Sequence, residues 1–463
     1  MAMQFKDIQH LYLRGGFGAT PSQIAYRTGK ERTDLVEELF AASRSYRGLN
    51  HLEDPVKGKK VGNLRILFML LRSQDQMREL NLEWIRLMAG TNAALREKMT
   101  FFWHDHFATS TPLAWLMQVQ NNTLRKHALG NFRTMLHAIS KDPAMIVYLN
   151  NQQNKKDHPN ENFAREVMEL FSLGIGHYTE QDVKEAARAF TGWTVNKKGE
   201  YEFDEKEHDD GEKTVLGRTG NWNGNDIIDM LLEDRQTARY VCEKIYRFFI
   251  GEQVDRSWLD ELSDQFYNSN YDISKLMRSI FLDDRFYSRD VQGSLIASPV
   301  ELIVRYKRLI SLETKNDNDT LKLQKVLGQV LFFPPNVAGW PGGRNWIDAS
   351  SLRLRMDLPR TIMEGGEFDL RPKPDFEDAP IAEGQSKTDK KASVRSDWNT
   401  LLRYFRKTKR EELTKKVLDT FIQSDYDERL VALIDKWVDH SSADKQIIST
   451  CAAVFSIPEF QLI

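Results

Sequence analysis

Two cysteines in 463 residues, with no Cys-x-x-Cys pair, exclude a zinc site built on thiolates. Cys242 and Cys451 each sit in an apolar helical pattern, ARYVCEKIYRFF and IISTCAAVF, and read as buried core thiols. No stretch reaches the roughly 18 consecutive apolar residues that a membrane-spanning helix needs. The apolar run from Ile447 to Ile457 is short and ends at Pro458, so it reads as a buried last helix. The N-terminus, MAMQFKDIQHLYLRGG, lacks a basic stretch followed by an apolar one, so no secretory signal is expected. Charge of one sign is not in excess either. Lys plus Arg number 65 and Asp plus Glu 67, and a net charge of −2 gives no global drive toward nucleic acid or an anionic membrane. Standard catalytic motifs are missing. GGFGAT at 15–20 is followed by no Gly-Lys-Ser/Thr and lacks the third glycine of a dinucleotide fingerprint. There is no G-x-S-x-G elbow and no kinase set.

What is present is helical. Hydrophobic residues are 41% of the chain, with ten Trp and 25 Phe, enough for a large aromatic core. Apolar residues recur at helical spacing over 7–14, 65–88, 93–107, 124–139, 162–173, 181–190, 226–232 and 235–249. Gly15 and Gly16 are expected to end the first helix with a left-handed exit, and Thr20, Pro21 and Gln23 supply a capping box for the next. Strands are few: Thr191 to Val195 and Tyr201 to Asp204 flank a Lys-Lys-Gly turn, and Lys213 to Leu216 follow. The expected fold is mainly α: a soluble multi-helical body over 1–364 with a small β-hairpin insertion near 191–216. A polar linker over 365–396 would then lead to a C-terminal helical segment at 397–463 that packs on the body. Thr314 to Thr320 reads as a charged, Asn-rich connector.

Four blocks hold more ionisable and aromatic residues than folding requires. In FFWHDHFATS, His104 and His106 could hold one divalent metal if the preceding helix ended before His104. On a continuous helix, positions two apart point about 200° apart, and His106 closes an internal stripe instead. In HPNENFAREVMELFSLGIGHYTEQD, Asn162, Arg165, Glu166 and Glu169 form a polar stripe, and Arg165 can organise neighbouring carboxylates. Asn160 and Asn162 crowd the helix start, and Gly174 and Gly176 are expected to aim His177 back toward the two glutamates. Two carboxylates and a histidine could bind a metal or do acid–base work, with Arg188 further along as an anion clamp. In DEKEHDDGEKTVLGRTGNWNG, His208, Asp209 and Lys213 cluster on a turn without calcium-loop spacing. In FFPPNVAGWPGGRNWIDASS, Asn336 and Trp340 sit among Pro and Gly, as a cleft wall or as a plug over the core; Trp193 is a further aromatic binding candidate.

These blocks, together with HLYLRGGFGATP, VCEKIYRFF and the closing SIPEFQ, stand in the order of the signature blocks of the family called domain of unknown function 1800, which the chain resembles over nearly its whole length. The resemblance implies a bacterial, helix-rich protein without an established activity. It also implies a partner: genes of the family often neighbour those of domain of unknown function 1501, a phosphatase/sulfatase-like group that often bears an export signal. The compartment expected is the cytoplasm, or export together with that partner. Two functions follow as expectations. One is a metal-assisted or acid–base hydrolase using Glu166, Glu169, Arg165, His177 and Arg188, with His104 and His106 as metal ligands. The other is a non-catalytic helical escort of the phosphatase/sulfatase-like neighbour.

Overall fold

The computed structural model describes residues 1–59, 62–369 and 391–463. Among them are 21 α-helices and three small antiparallel sheets. The first hairpin pairs Trp193–Val195 with Tyr201–Phe203, and a second pairs Lys213–Val215 with Arg218–Gly220. In the third sheet, Lys391–Arg395 lies between Glu313–Thr314 and Glu367–Asp369. The chain is therefore mainly α with a small hairpin insertion, and the insertion holds one strand more than the sequence pattern shows. The ends of the expected linker pair as strands, and its middle, 370–390, lies outside the described residues.

Several elements begin where side chains can satisfy free backbone N–H groups. Thr20 and Gln23 form the expected capping box, and Thr179 and Asp182 form another. Other expectations need correction. Gly15 is not left-handed: its φ is −80°, and a Cβ there would press on the Leu11 carbonyl oxygen at 3.0 Å. Gly16 likewise lies 3.1 Å, at its would-be Cβ, from Ala94. The pair is there for close packing, and the left-handed residue is Gly18. The helix read over 124–139 is two, Ala114–His127 and Phe132–Ser140, broken at Gly130 and Asn131. The connector at 314–320 is a strand end followed by a helix, Asp317–Leu327, which Asn316 caps. The helix at 162–173 turns π-helical at Glu169–Leu173, where Ser172 Oγ donates to the Val167 carbonyl at 2.6 Å. Inserted turns of this kind are frequent at functional sites.

Two apolar cores fill the molecule. One gathers Leu11, Leu39, Trp103, Phe132, Phe163, Phe190, Ile245 and Phe281. The other gathers Trp84, Phe101, Ile303, Leu327, Leu358, Phe421 and Phe455, so the 443–455 helix shares a core with Pro299–Ile310. Helix Ala94–His106 runs along the seam: Met99, Phe102 and Trp103 enter the first core and Phe101 the second. Phe248 packs against both.

Charges are buried at this seam. Arg125 Nε and Nη2 donate to Glu97 at 2.6 and 3.0 Å, and Trp84 Nε1 donates to the same carboxylate at 2.9 Å. Lys98 bonds Glu301, which also accepts the Ser298 N–H at 2.7 Å and so caps its own helix. Removing one partner of such a pair strands the other charge. Arg125→Met is expected to lower unfolding free energy by ~3–5 kcal/mol, read by urea denaturation. A loss below ~1 kcal/mol would show that the pair does not anchor the seam.

Candidate functional site

A cavity of about 380 Å³ opens on this seam. Its floor comes from Phe101, Phe102 and Asp105, and one wall from Lys244, Arg247 and Phe248 of helix Arg235–Phe249. The opposite wall is the loop Trp340, Pro341, Gly342, Gly343, Arg344 and Trp346, closed by Ser298 and Glu301 from below. The first and fourth polar blocks of the sequence thus meet here.

Asp105 is the junction. It follows Phe101 and Phe102 by one helical turn, so the face that packs the seam also presents a carboxyl to the cavity. Its Oδ1 accepts the Trp340 N–H at 2.7 Å. Gly339 has φ +84°, and a Cβ there would overlap the Asp105 carboxylate, so only glycine lets the loop close onto it. Burial pushes the Asp105 carboxyl up to about 6, against the pull of the Trp340 N–H and of Lys244. Burial lowers the Lys244 ammonium, and Asp105 partly offsets that. No direct ion pair joins them. Among the described residues, neither Lys244 nor Arg344 makes an ion pair. Arg247, by contrast, is held by Glu243 at 2.8 Å and by the Glu252 carbonyl at 2.9 Å. Trp340 is buried and its Nε1 has no acceptor. A carboxyl raised toward neutrality beside a lysine lowered from its usual range is the pattern that sets up acid and base roles.

The histidines flanking Asp105 do not converge on one point. The helix continues through both, so their rings point apart. His104 Nε2 accepts the Phe332 N–H at 3.1 Å among Trp84, Phe332 and Trp340. His106 Nε2 lies 3.3 Å from the Phe171 carbonyl oxygen, with its ring on Phe102, Trp103, Phe107 and Phe171. Burial depresses both to about 3, so both rings are neutral at physiological pH. Among the described residues no group of three or more His, Cys, Asp or Glu side chains gathers as a metal-ligand set.

The second block borders the cleft without lining it. Arg165 does not organise Glu166 and Glu169. It bonds Glu180 through two nitrogens, at 2.8 and 2.7 Å, and Glu161 at 3.0 Å. His177 is exposed and does not meet the two glutamates; its neighbour Tyr178 does, its hydroxyl donating to Glu169. Glu166 is partly buried and carries no hydrogen bond or ion pair among the described residues. Burial raises its pKa, and the charge of Glu169 adds to the rise. Burial raises Tyr240 and the charge of Glu169 adds to the rise; the Tyr240 ring lies 5.6 Å from Lys244 Nζ, so the two regions are electrostatic neighbours. Asn160 Oδ1 accepts the Asn162 N–H at 3.0 Å, a local turn at the helix start.

The third block lies apart, and none of its residues lines the cavity. Arg188 grips Asp209 at 2.7 Å and Glu185 at 2.7 Å, tying the loop to its helix. Buried Lys213 donates to the carbonyls of Asp209 and Gly211. His208 Nδ1 lies 2.9 Å from the Thr191 carbonyl oxygen. Trp193 is buried against Phe163, Phe190 and Tyr201. Asn336 is exposed and its side chain closes a turn onto the Ala338 N–H at 2.9 Å. Of the residues expected from sequence, Trp340 alone reaches the cleft. Asp105 and Lys244 were missed, although an aspartate on the helix face of Phe101 and Phe102 was a legible signal.

The Asp105 shift has a consequence for stability. Its folded value of about 6 lies above the ordinary 3.8. The group's contribution therefore falls as pH rises from about 4 to about 6 and stays low above that. Asp105→Asn keeps the acceptor for Trp340 without the charge. Its stability relative to wild type is expected to improve by about 2 kcal/mol between pH 4.5 and 7.5, measured by denaturation at both. A pH-independent difference would mean that Asp105 titrates normally.

Comparison with curated proteins and with solved structures finds no match. The family model described as "Protein of unknown function (DUF1800)" matches residues 10–462, and the chain belongs to that family.

Proposed function

We propose that the chain is a hydrolase that works by acid–base chemistry in the Asp105 cleft. The observation that carries this reading is a carboxyl set at the floor of a 380 Å³ cavity that also holds two cations without carboxylate partners and two tryptophans. Asp105 takes a proton from the attacking water and returns it to the leaving group. Lys244 and Arg344 stabilise negative charge as it develops on the substrate. Trp340 and Trp346 seat an apolar or ring portion. Lys244 and Arg344 face the Asp105 and Glu252 carboxyls across the cavity, so charge alone selects no anionic substrate, and the favoured substrate is an ester-type bond.

Glu166 is the second candidate for proton transfer, as an unpartnered carboxylate beside Glu169. A panel of chromogenic carboxylic, phosphoric and sulfuric esters and glycosides tests the reading. Wild type is expected to turn over at least one member, with kcat/KM falling about 10²–10⁴-fold in Asp105→Asn and little in Glu166→Gln. The reverse ranking would move the site to Glu166. Unchanged turnover in both folded variants, or no turnover by wild type, would overturn it.

One observation favours the escort reading. Arg165, Arg188, Asp209 and Lys213 direct their polar groups to one another, to neighbouring carboxylates and to backbone, as a scaffold does. That reading expects a complex with the phosphatase/sulfatase-like neighbour on co-purification at native expression.

A further inference from the structure

Helix Asn63–Gly90 ends at Gly90, and the chain turns at once into helix Ala94–His106. Ala89, Gly90 and Ala94 at this corner face Ala41 and Ala42 at the end of helix Arg32–Ala42. Their side chains are too short to fill the space between the helices. The result is a cavity of about 700 Å³ that shares no lining residue with the Asp105 cavity. Small-molecule sites usually span ~300–1,000 Å³, so there is room for more than water or a bare inorganic ion.

Among the described residues, the charged side chains that line it are Arg27, Glu38, Lys307 and Arg308. Glu38 is already neutralised: its Oε1 accepts from Arg27 Nε at 2.9 Å, and its Oε2 lies 3.7 Å from Lys30 Nζ. Arg308, from helix Pro299–Ile310, has no carboxylate partner. It donates through Nη1 to the Gly18 carbonyl at 2.9 Å, and through Nη2 to the Met88 and Thr91 carbonyls at 3.0 and 2.9 Å. Its Nε also reaches Met88, which leaves one Nη1 hydrogen free. Burial lowers Arg308 to about 10, and no carboxylate offsets the loss. The end of helix Asn63–Gly90 lends about half a negative charge, less than the guanidinium carries. Lys307 donates to the Leu312 carbonyl at 3.0 Å; outside the lining, Glu313 and Asp317 attract it and Arg86 repels it. The walls therefore hold two cations and no carboxylate left to pair with them. Helix Ala94–His106 adds to this positive field, because it starts at the cavity and its N-cap, Ala93, supplies no side-chain cap.

The rest of the wall is polar rather than aromatic. Asn92 and Ser45 line the cavity and are exposed, and among the described residues neither side chain makes a hydrogen bond. We propose that this cavity binds a phosphomonoester of a small hydroxylated molecule. Arg308 holds the phosphate against the start of helix Ala94–His106, Lys307 adds charge, and Asn92 and Ser45 take hydroxyl groups. Two cations beside a helix start suit a dianion, and a phosphomonoester is close to one at neutral pH. The inference is independent of the Asp105 cleft.

Thermal unfolding and calorimetric titration of the full chain at constant ionic strength test it. The probes are glycerol, ribose and glucose monophosphates, the same molecules without phosphate, their carboxylate counterparts, and inorganic phosphate. At least one phosphomonoester is expected to bind saturably and raise the unfolding temperature, while its unphosphorylated form does neither. Ala41→Glu changes an exposed residue of the lining and is expected to keep the fold and abolish binding. Arg308→Gln is expected to weaken binding about ten- to hundred-fold. Arg308 also ties three carbonyls together, so Ala41→Glu reads the site even if Arg308→Gln fails to fold. Binding by no phosphomonoester, equal binding of the unphosphorylated form, or binding that persists in Ala41→Glu would overturn the proposal. Carboxylates that bind as well as the phosphomonoesters, or inorganic phosphate that binds as well as any ester, would overturn the assignment of the ligand.

Discussion

The buried pair of Lys98 and Glu301 is the constraint on which the rest of the architecture turns. Each charge alone would be costly in the interior; together, and with the Ser298 N–H and the Leu13 carbonyl as further partners, they are accommodated. Lys98 belongs to the seam helix and Glu301 to the helix that opens the second core, so the pair fixes where the two cores meet. Nearby buried arginines extend the arrangement by donating to carbonyls. Arg14 reaches Phe249 and Val291, Arg305 reaches Phe460, and Arg355 reaches Ala297. Burial pulls Arg14 down to about 9 and Arg305 to about 10, and all three remain cations at neutral pH. They stitch the N-terminal helix, the 291–298 loop and the last turn of the chain around the same carboxylate.

The cleft is a product of that seam. The cavity opens beside the buried ion pair, with Glu301 in its lining. The loop at 332–346, too rich in proline and glycine for regular structure, closes over the gap by docking Trp340 onto Asp105. A carboxyl placed there is shielded from bulk water yet open to the cavity, and this is the condition under which its proton affinity rises toward neutrality. The dense ion pairs around Arg165 and Arg188 do something else. They hold a π-helical turn and a two-hairpin insertion in place beside the seam.

Much of the fold was legible. The 3.6-residue period marked helix Arg235–Phe249, the capping box at Thr20 marked a helix start, and two short strands about a Lys-Lys-Gly turn marked the first hairpin. The polar blocks were visible as unusual, but their internal partners were not. Arg165 lies between Glu161, Glu166, Glu169 and, in space, Glu180, and spacing does not say which carboxylate it will choose. The two histidines drew attention because histidine is a common ligand, whereas the aspartate between them is the residue that reaches the cavity.

The sequence by itself determined the class, helical with a small β insertion, and the family, because local periodicity and ordered motifs are properties of neighbouring residues. Tertiary structure decided the site. Asp105, Lys244 and Trp340 are far apart in the chain, and only the packing of two cores around one buried ion pair brings them to a common cavity. It also decided which side of the 63–90 helix is covered: phase already sets Leu71 opposite Leu80 and Trp84, but it gives a residue's direction around an axis and not what lies beyond it.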